Sequence, residues 1–308
     1  MASALDADLD VCVANANADF SSVPDELVEA IFIKLPCAEL WRGALERVCK
    51  RWARLMQEST LAKRKRDARW AAYEDGVIKP RVFSGHTKTI WALAIGLNNG
   101  KVYSGSADKT IRVWSCEGGA LLQTLHGHTA EVNALAVGPD EKLYSGSMDH
   151  TIRVWSGDDG THLQTLLGHT QGVRVLAVGV NDGRLYSGSM DCTVRVWSRR
   201  DGTLVQTLVG HGYTVVALAI GLNGKLYSGS WDYTIRVWSS VDGTHLQTIE
   251  HSIGAFPLVV GSSGKLFSGG EDGCVRVCSP DDGALVQKFE NRPCSTVFVL
   301  AVGSNGRV

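Results

Sequence analysis

The residue types that could do chemistry recur as a set of four: histidine, serine, aspartate and tryptophan. In each copy the serine follows the histidine by 17 or 18 residues, the aspartate follows four residues later, and the tryptophan six residues after that. Four copies are complete, and in the fifth a cysteine takes the tryptophan position. The five quartets are His86, Ser104, Asp108 and Trp114; His128, Ser145, Asp149 and Trp155; His169, Ser187, Asp191 and Trp197; His211, Ser228, Asp232 and Trp238; and His251, Ser268, Asp272 and Cys278.

Serine, histidine and aspartate are the residue types of a hydrolytic triad, so an enzyme that uses one of these sets is one alternative. An active site is built once, however, whereas these histidines return at intervals of 40 to 42 residues. A structural network explains the repetition better, because an indole N–H donates, serine donates and accepts, histidine donates onward and aspartate accepts. We therefore expect buried hydrogen-bonded quartets, no catalytic residue and no cofactor. No unit supplies three or four convergent ligands, so we expect no metal site.

Each repeat unit also carries the signals of four short strands. In the second unit these are an apolar run at 132–137, a second run at 143–145, an alternating stretch at 151–155 and a last stretch at 163–166. Turn pairs such as Asp159-Gly160 separate them and supply the positive φ that tight hairpins require. Four antiparallel strands in about 40 residues make one blade of a β-propeller.

The repeats resemble the WD-repeat family over residues 82–308. The resemblance lies in the Gly-His pairs, in Ser-Gly-Ser-x-Asp-x-Thr and in Val-Trp, while Ser115, Ser156, Ser198 and Ser239 stand where the family's Asp follows Trp. It implies an all-β propeller of five units and a partial sixth, which begins near Asn291. Because the template continues beyond Val308, we expect an incomplete propeller and a chain truncated at its C-terminus.

Ahead of the repeats, residues 20–60 have a helical pattern. Ser22 stands near the cap of a helix with Pro24 in its first turn, and apolar residues follow at helical spacing. This segment resembles an F-box, and its most specific part is the run from Val48 to Trp52. The resemblance implies a small all-α domain whose apolar surface is covered by the Skp adaptor of cullin-RING ubiquitin ligases. The positions that match the motif are Pro24, Leu27, Ile31, Leu35, Pro36, Leu40, Val48, Cys49 and Trp52.

The remaining segments and the composition exclude several classes of protein. Residues 1–19 carry four aspartates and no basic residue, which is typical of a disordered acidic tail, and residues 61–81 are expected to form a basic helical linker. The net charge of -1 argues against nucleic acid as a partner, and no apolar run reaches the ~18 residues of a membrane span. Eight scattered cysteines without a Cys-x-x-Cys pair, and the absence of a signal peptide, indicate the cytoplasm or the nucleus.

A binding surface is expected where the repeats differ, because scaffold positions are alike in every unit. Two positions vary: the residue before each quartet aspartate, and the residues that flank the first apolar position of each unit. In WD-repeat propellers the matching positions line the mouth of the central channel. Met148 and Met190 could instead pack against the next unit. The candidate target-binding residues are Trp91, Asn133, Met148, Arg174, Met190, Val216, Trp231, Phe256 and Glu271.

Two interaction modules on one chain indicate an adaptor. The resemblance implies the substrate-recognition subunit of an SCF-type E3 ubiquitin ligase, which binds the Skp adaptor of the cullin-RING ligase through the F-box and a protein substrate through the propeller, without catalysing bond chemistry itself. The alternative is a WD-repeat interaction scaffold that takes no part in ubiquitin transfer.

Overall fold

Strands and turns make up the part of the chain that the computed structural model describes. That part comprises residues 13–14, 83–96, 99–116, 118–179, 182–221, 224–251, 257–261, 263–270, 272–279, 282–290 and 297. Within these ranges there is no helix. The helical F-box domain and the helical linker expected from the sequence lie outside them.

Within the described ranges, twenty-one strands form five sheets. In chain order they are β1 (Val13–Ala14), β2 (Ile90–Ile95), β3 (Lys101–Ser106), β4 (Ile111–Ser115), β5 (Leu121–Leu125), β6 (Val132–Val137), β7 (Leu143–Ser147), β8 (Ile152–Trp155), β9 (His162–Leu166), β10 (Val173–Val178), β11 (Arg184–Ser189), β12 (Thr193–Ser198), β13 (Leu204–Val209), β14 (Val215–Ile220), β15 (Lys225–Ser230), β16 (Thr234–Ser239), β17 (His245–Glu250), β18 (Leu258–Val260), β19 (Leu266–Gly269), β20 (Cys274–Cys278) and β21 (Leu285–Glu290).

Each repeat unit is one antiparallel meander of four strands whose order in the sheet is their order in the chain. The five meanders are β2–β5, β6–β9, β10–β13, β14–β17 and β18–β21. The first sheet gains a fifth strand, because β1 pairs in parallel with β2. The rest of the 1–19 segment, for which we predict disorder, lies outside the described residues.

The turns between the third and fourth strands have the chemistry that the sequence indicates. Gly160 has φ of 72° and Gly202 has φ of 73°, a region that costs glycine little because it has no Cβ. The aspartate before each glycine accepts bonds from the threonine after it; Asp159 Oδ1 lies 2.9 Å from Thr161 Oγ1. Such bonds hold the turn locally, so each meander folds back at a fixed point.

The core lies between consecutive sheets rather than within one. Tyr144, Ile152 and Leu166 of the second sheet pack against residues of the third, among them Leu185 and Trp197. Equivalent clusters join the first sheet to the second, the third to the fourth and the fourth to the fifth. The second, third and fourth sheets therefore each bury one face against the preceding sheet and the other against the following sheet, as the blades of a β-propeller do.

The first strand of each sheet, which we call the innermost strand, lies close to the second strand of the preceding sheet, because that second strand carries a glycine. A Cβ at Gly105 would lie 2.7 Å from Cγ1 of Val132 in the next sheet, and one at Gly146 would lie 2.7 Å from Val173. Gly269 of the fifth sheet has the same relation to Val297, at 2.7 Å. Val297 thus occupies the first core position of a following unit, in line with the partial sixth unit that the sequence predicts.

This close approach predicts the effect of a single methyl group. A Cβ at Gly188 would lie 2.6 Å from Cγ1 of Val215 and 2.7 Å from Cγ1 of Val175. We expect Gly188→Ala to lower the free energy of unfolding by about 1–3 kcal/mol through overpacking, measured by chemical denaturation. Gly118→Ala is the matched control, because Gly118 is exposed and nothing lies within 4 Å of its Cβ position. Equal stability of the two variants would contradict the close packing.

Candidate functional site

In the first four units the quartet side chains form one continuous chain of hydrogen bonds. In the second unit the indole N–H of Trp155 donates to Ser145 Oγ at 2.8 Å, and Ser145 Oγ lies 2.7 Å from His128 Nε2. His128 Nδ1 lies 2.8 Å from Asp149 Oδ2. Because the carboxylate can only accept, Nδ1–H of the histidine donates to it, and in a neutral ring Nε2 accepts from the serine hydroxyl. The equivalent distances in the other three units are between 2.7 and 2.8 Å.

Each quartet aspartate also fixes the backbone around it. Asp149 accepts the backbone N–H of Thr129 at 3.0 Å, and both the N–H and the hydroxyl of Thr151, at 3.0 and 2.6 Å. The carboxylate therefore links the loop before the innermost strand to the start of the third strand.

The same contacts determine the protonation of these carboxylates. Burial would raise the pKa of Asp108, but hydrogen bonds from Thr110, His86 and the backbone outweigh burial and lower it to about 2. For Asp149 and Asp191, burial is likewise outweighed by hydrogen bonds from the histidine and threonine of the unit, and the pKa is lowered. All three aspartates are ionised at neutral pH.

The quartets resemble a hydrolytic triad in connectivity but not in access. The serine that would act as nucleophile is buried in every one of these units, with at most 2% of its surface exposed. Its oxygen already accepts the indole N–H, so a substrate carbonyl has no approach to it. The arrangement serves to satisfy buried polar groups.

The fifth unit is connected differently. Cys278 replaces the tryptophan, and Asp272 pairs with Arg276, whose Nη2 lies 2.5 Å from Oδ2. The hydrogen bond from Arg276 is the main cause that lowers the pKa of Asp272 to about 2.

The equivalent arginines of the other units lie elsewhere, against the Gly-His pair. A Cβ at Gly127 would lie 2.7 Å from Nη1 of Arg153, and one at Gly210 would lie 2.6 Å from Nη1 of Arg236. The fifth unit has Glu250 in place of that glycine. We infer that its Cβ excludes the arginine, which then turns to Asp272.

A repeated backbone bond brings the two sets of variable residues together. The residue before the quartet aspartate donates its N–H to the carbonyl two residues before the variable residue of the innermost strand: Ala107 to Thr89, Met148 to Glu131, Met190 to Gly172 and Trp231 to Thr214, at 2.8 to 3.1 Å. Positions that the sequence predicts to form a binding surface therefore lie side by side at one end of four sheets. We call this end the variable face.

On the innermost strands the variable residue is the extra residue of a β-bulge. The pairing register shifts across Trp91, Asn133, Arg174 and Val216 in β2, β6, β10 and β14. Bulges turn side chains out of the regular alternation, and they are common beside functional sites. Each unit can therefore have a different side chain at the bulge position while its core residues stay the same.

Two of these bulge residues have polar atoms without a hydrogen-bond partner. Asn133 is 4% exposed, and neither its amide nitrogen nor its amide oxygen bonds to any described residue. The indole N–H of Trp91 is buried and equally unpaired among the described residues. Buried polar atoms in native proteins are nearly always paired with protein, water or a ligand, so these atoms can bond to a molecule at this end of the sheets.

The third bulge residue carries the positive charge of the variable face. The guanidinium of Arg174 lies over the Trp231 ring, 5.8 Å from its centroid, and Tyr213 lies 6.2 Å from the same ring. Burial lowers the pKa of Arg174, and the nearby Glu131 acts in the opposite direction. Arg174 has no ion pair within 4.0 Å among the described residues, so its charge is available to a ligand.

The other predicted residues of this surface fall into three groups in the structure. The side chain of Met148 packs on Gly172 of the next unit, where a Cβ would lie 3.2 Å from its Cε, so it takes the packing role that the sequence left open. Met190 and Val216 are half-buried on the same face. Phe256, Glu271 and the nine F-box positions from Pro24 to Trp52 lie outside the described residues.

Two exposed tyrosines at this end were absent from the sequence prediction. Tyr213 is 57% exposed and Tyr233 is 56% exposed. Tyr233 follows the quartet aspartate, at a position with positive φ in every unit that is occupied in turn by Lys109, His150, Cys192, Tyr233 and Gly273. Because the residue at this position varies between units, it carries the same sequence signal that predicts a binding surface at the residue before the aspartate.

The described residues have neither a cluster of metal ligands nor a membrane-spanning helix. They contain no group of three or more histidines, cysteines, aspartates or glutamates placed to hold a metal ion. No helix among them is long and apolar enough to span a membrane.

Comparisons with known proteins agree with the two modules. The family model described as "WD domain, G-beta repeat" matches residues 78–115, 119–156, 160–198 and 202–239, and the F-box-like model matches residues 20–66. Among solved structures, 1772 chains are similar to this one. One, titled "Structure of U3-55K", has a TM-score of 0.64 and 25% identity, and the match covers 72% of each chain. Because so many chains share it, this likeness is informative about the fold.

The quartets predict how stability depends on pH. The pKa of Asp149 is below its ordinary value of 3.8, so its contribution is complete above about pH 4 and is lost as the pH falls further. We expect Asp149→Asn to lose about 1–3 kcal/mol at pH 7, and to differ less from the wild type below pH 4. Thermal melts followed by circular dichroism between pH 7 and pH 2 measure both effects.

Asp158→Asn provides the control for this experiment. Asp158 is exposed in the turn of the same unit, so its variant has the same change in charge and should keep the wild-type profile. Identical pH profiles for all three proteins would show that the Asp149 carboxylate does not stabilise the fold.

Proposed function

The chain belongs to the F-box and WD-repeat proteins, and from this premise we propose that it is the substrate-recognition adaptor of an SCF-type E3 ubiquitin ligase. The observation that carries the proposal is the presence of both modules on one chain, the F-box-like segment at 20–66 and the WD repeats at 78–239. One module suits attachment to the ligase, and the other suits capture of a target.

The proposed mechanism is an increase in effective concentration. The F-box binds the Skp adaptor of the cullin-RING ligase, and the propeller binds a protein substrate at the variable face. Tethering turns the meeting of substrate lysines and charged ubiquitin enzyme into an event within one complex. The chain contributes binding and position, while the bond chemistry belongs to other subunits, which act in the cytoplasm or the nucleus.

The composition of the variable face supports a protein as the ligand. Trp231, Tyr213 and Tyr233 supply aromatic surface, and tryptophan, tyrosine and arginine are the residue types that dominate binding energy at protein interfaces. The unpaired amide of Asn133 can both donate to and accept from a peptide group, and Arg174 can bind a carboxylate. Arg174 is the one cation among the four bulge residues and Glu131 lies beside it, so these positions offer little positive charge for a nucleic-acid backbone.

The rival function is an interaction scaffold without a role in ubiquitin transfer. It shares the WD repeats and the variable face, and it differs only in whether the F-box binds the ligase. Binding to the Skp adaptor therefore decides between the two.

Adaptor binding gives the first test of the proposal. We expect the full chain to co-elute with purified Skp adaptor on size-exclusion chromatography, and Leu27→Asp or Trp52→Ala to weaken that complex at least tenfold, since each removes an apolar side chain that matches the motif. Trp231→Ala should leave it unchanged. A wild-type chain that does not bind the adaptor would leave the scaffold function in its place.

The variable face gives the second test, through the unusual position of Asn133. Asn133→Leu replaces two unpaired polar atoms with apolar ones, so we expect the melting temperature to stay equal or rise. Peptides selected from a random display library on the full chain should bind this variant at least tenfold more weakly than the wild type. Fluorescence anisotropy measures the affinities.

Leu122→Ala is the matched control for that test. Leu122 is 53% exposed on the outermost strand β5, away from the variable face, and its replacement should leave peptide affinity unchanged. Unaltered affinity in Asn133→Leu, together with lower stability, would assign the amide a purely structural role.

A further inference from the structure

A pocket opens between the second and third sheets at the end opposite the variable face. It has a volume of about 90 Å³, enough for several water molecules. Lys142 and Tyr144 line it from the second sheet, and Arg199 and Arg200 line it from the third, with Gln164 at the side. The pocket lining contains three cationic side chains and no carboxylate.

The interfaces on either side of this one are closed by a repeated contact. At the start of the second strand in the first unit, Lys101 Nζ donates to the carbonyls of Gly157 and Asp158 in the next sheet, both at 2.6 Å. At the same position in the third unit, Arg184 donates to the carbonyls of Ser240 and Val241 in the fourth sheet. A basic side chain thus ties each of these sheets to its successor.

Lys142 holds the same position in the second unit but does not make this contact. Its Nζ lies 3.2 Å from Asp140 Oδ2, within its own sheet. The residues that it would meet in the third sheet are Arg199 and Arg200, which repel an ammonium group. Arg199 crosses to the other oxygen of Asp140, at 3.4 Å, so one carboxylate serves two cations.

Two buried hydrogen-bond donors at this interface also have no hydrogen-bond partner among the described residues. Tyr144 is 2% exposed, and its hydroxyl makes no hydrogen bond to a described residue, nor does Nε of Arg199. In the first sheet the equivalent hydroxyl of Tyr103 donates to Gly157 at 3.4 Å, and in the third that of Tyr186 donates to Asp182 at 2.6 Å. Burial, the largest cause, and Asp140 raise the pKa of Tyr144, so its hydroxyl keeps its proton.

We propose that this pocket binds a phosphate group. The carboxylate of Asp140 leaves this group of three cations with a net positive charge, and a tetrahedral oxyanion supplies further negative charge together with the acceptor oxygens that Tyr144 and Arg199 lack. Guanidinium groups bind phosphate through paired N–H donors, and a bound phosphate would add a second bridge between Lys142 and Arg199 at the interface where Lys142 does not reach the carbonyls of the next sheet. The site is separate from the variable face, so it stands independently of the proposed function.

Calorimetric titration of the full chain with inorganic phosphate, at constant ionic strength, tests the proposal. We expect saturable binding to one site with Kd of about 1 mM or tighter. Arg199→Gln and Tyr144→Phe should each weaken it at least tenfold. Lys265→Gln should stay within twofold, because Lys265 has the same position in the fifth unit but is exposed.

A parallel titration with O-phosphoserine identifies the source of the group. Binding of both ligands supports a site for phosphorylated side chains, whereas binding of inorganic phosphate alone supports a site for the free ion. Absence of saturable binding by either ligand would overturn the proposal. So would Tyr144→Phe and Arg199→Gln variants that both bind phosphate as the wild type does, since the ion would then bind elsewhere on the chain.

Discussion

In each of the first four units, the carboxylate of one aspartate fixes two other segments of the unit at once. It accepts from the histidine that precedes the innermost strand, from the backbone beside that histidine, and from the threonine that begins the third strand. Through histidine and serine the same chain of bonds reaches the buried indole. Because these bonds span about 20 residues of sequence, they set the relative positions of strands that the backbone ladder alone does not connect. The residues that vary between units therefore lie on backbone segments whose positions these bonds fix.

Much of this architecture could be predicted because it is repeated. The alternation at 151–155 and the Asp-Gly turns place the strands of every unit, and the donors and acceptors of each quartet allow few other orders of bonding. The fold class of the repeats follows from the same pattern, and the sheets β2–β5 to β18–β21 fit it. Repetition also separates scaffold from surface, since the residues that vary meet at one end.

Features that depend on two units at once could not be predicted from one unit's sequence. Lys142 looks equivalent to Lys101, and only the neighbouring Arg199 explains why it turns away. Likewise, the sequence gives no sign that Asn133 is buried without partners, because that depends on the bulge in β6 and on what surrounds it. We likewise infer the path of Arg276 from Glu250, which is 26 residues away in the chain. The features that distinguish this protein from a regular array of repeats therefore lie in the contacts between units.

Because the fifth unit is altered, the two ends of the array of sheets differ in stability. Four sheets share the same cross-links, while the fifth has exchanged its indole for a thiol and depends on an ion pair with a partly exposed carboxylate. In assemblies where each element contacts only its neighbours, opening proceeds from the weakest member. Fraying should therefore travel from the later units towards the earlier ones, which leaves the sheets β2–β5 and β6–β9 as the last to lose their order.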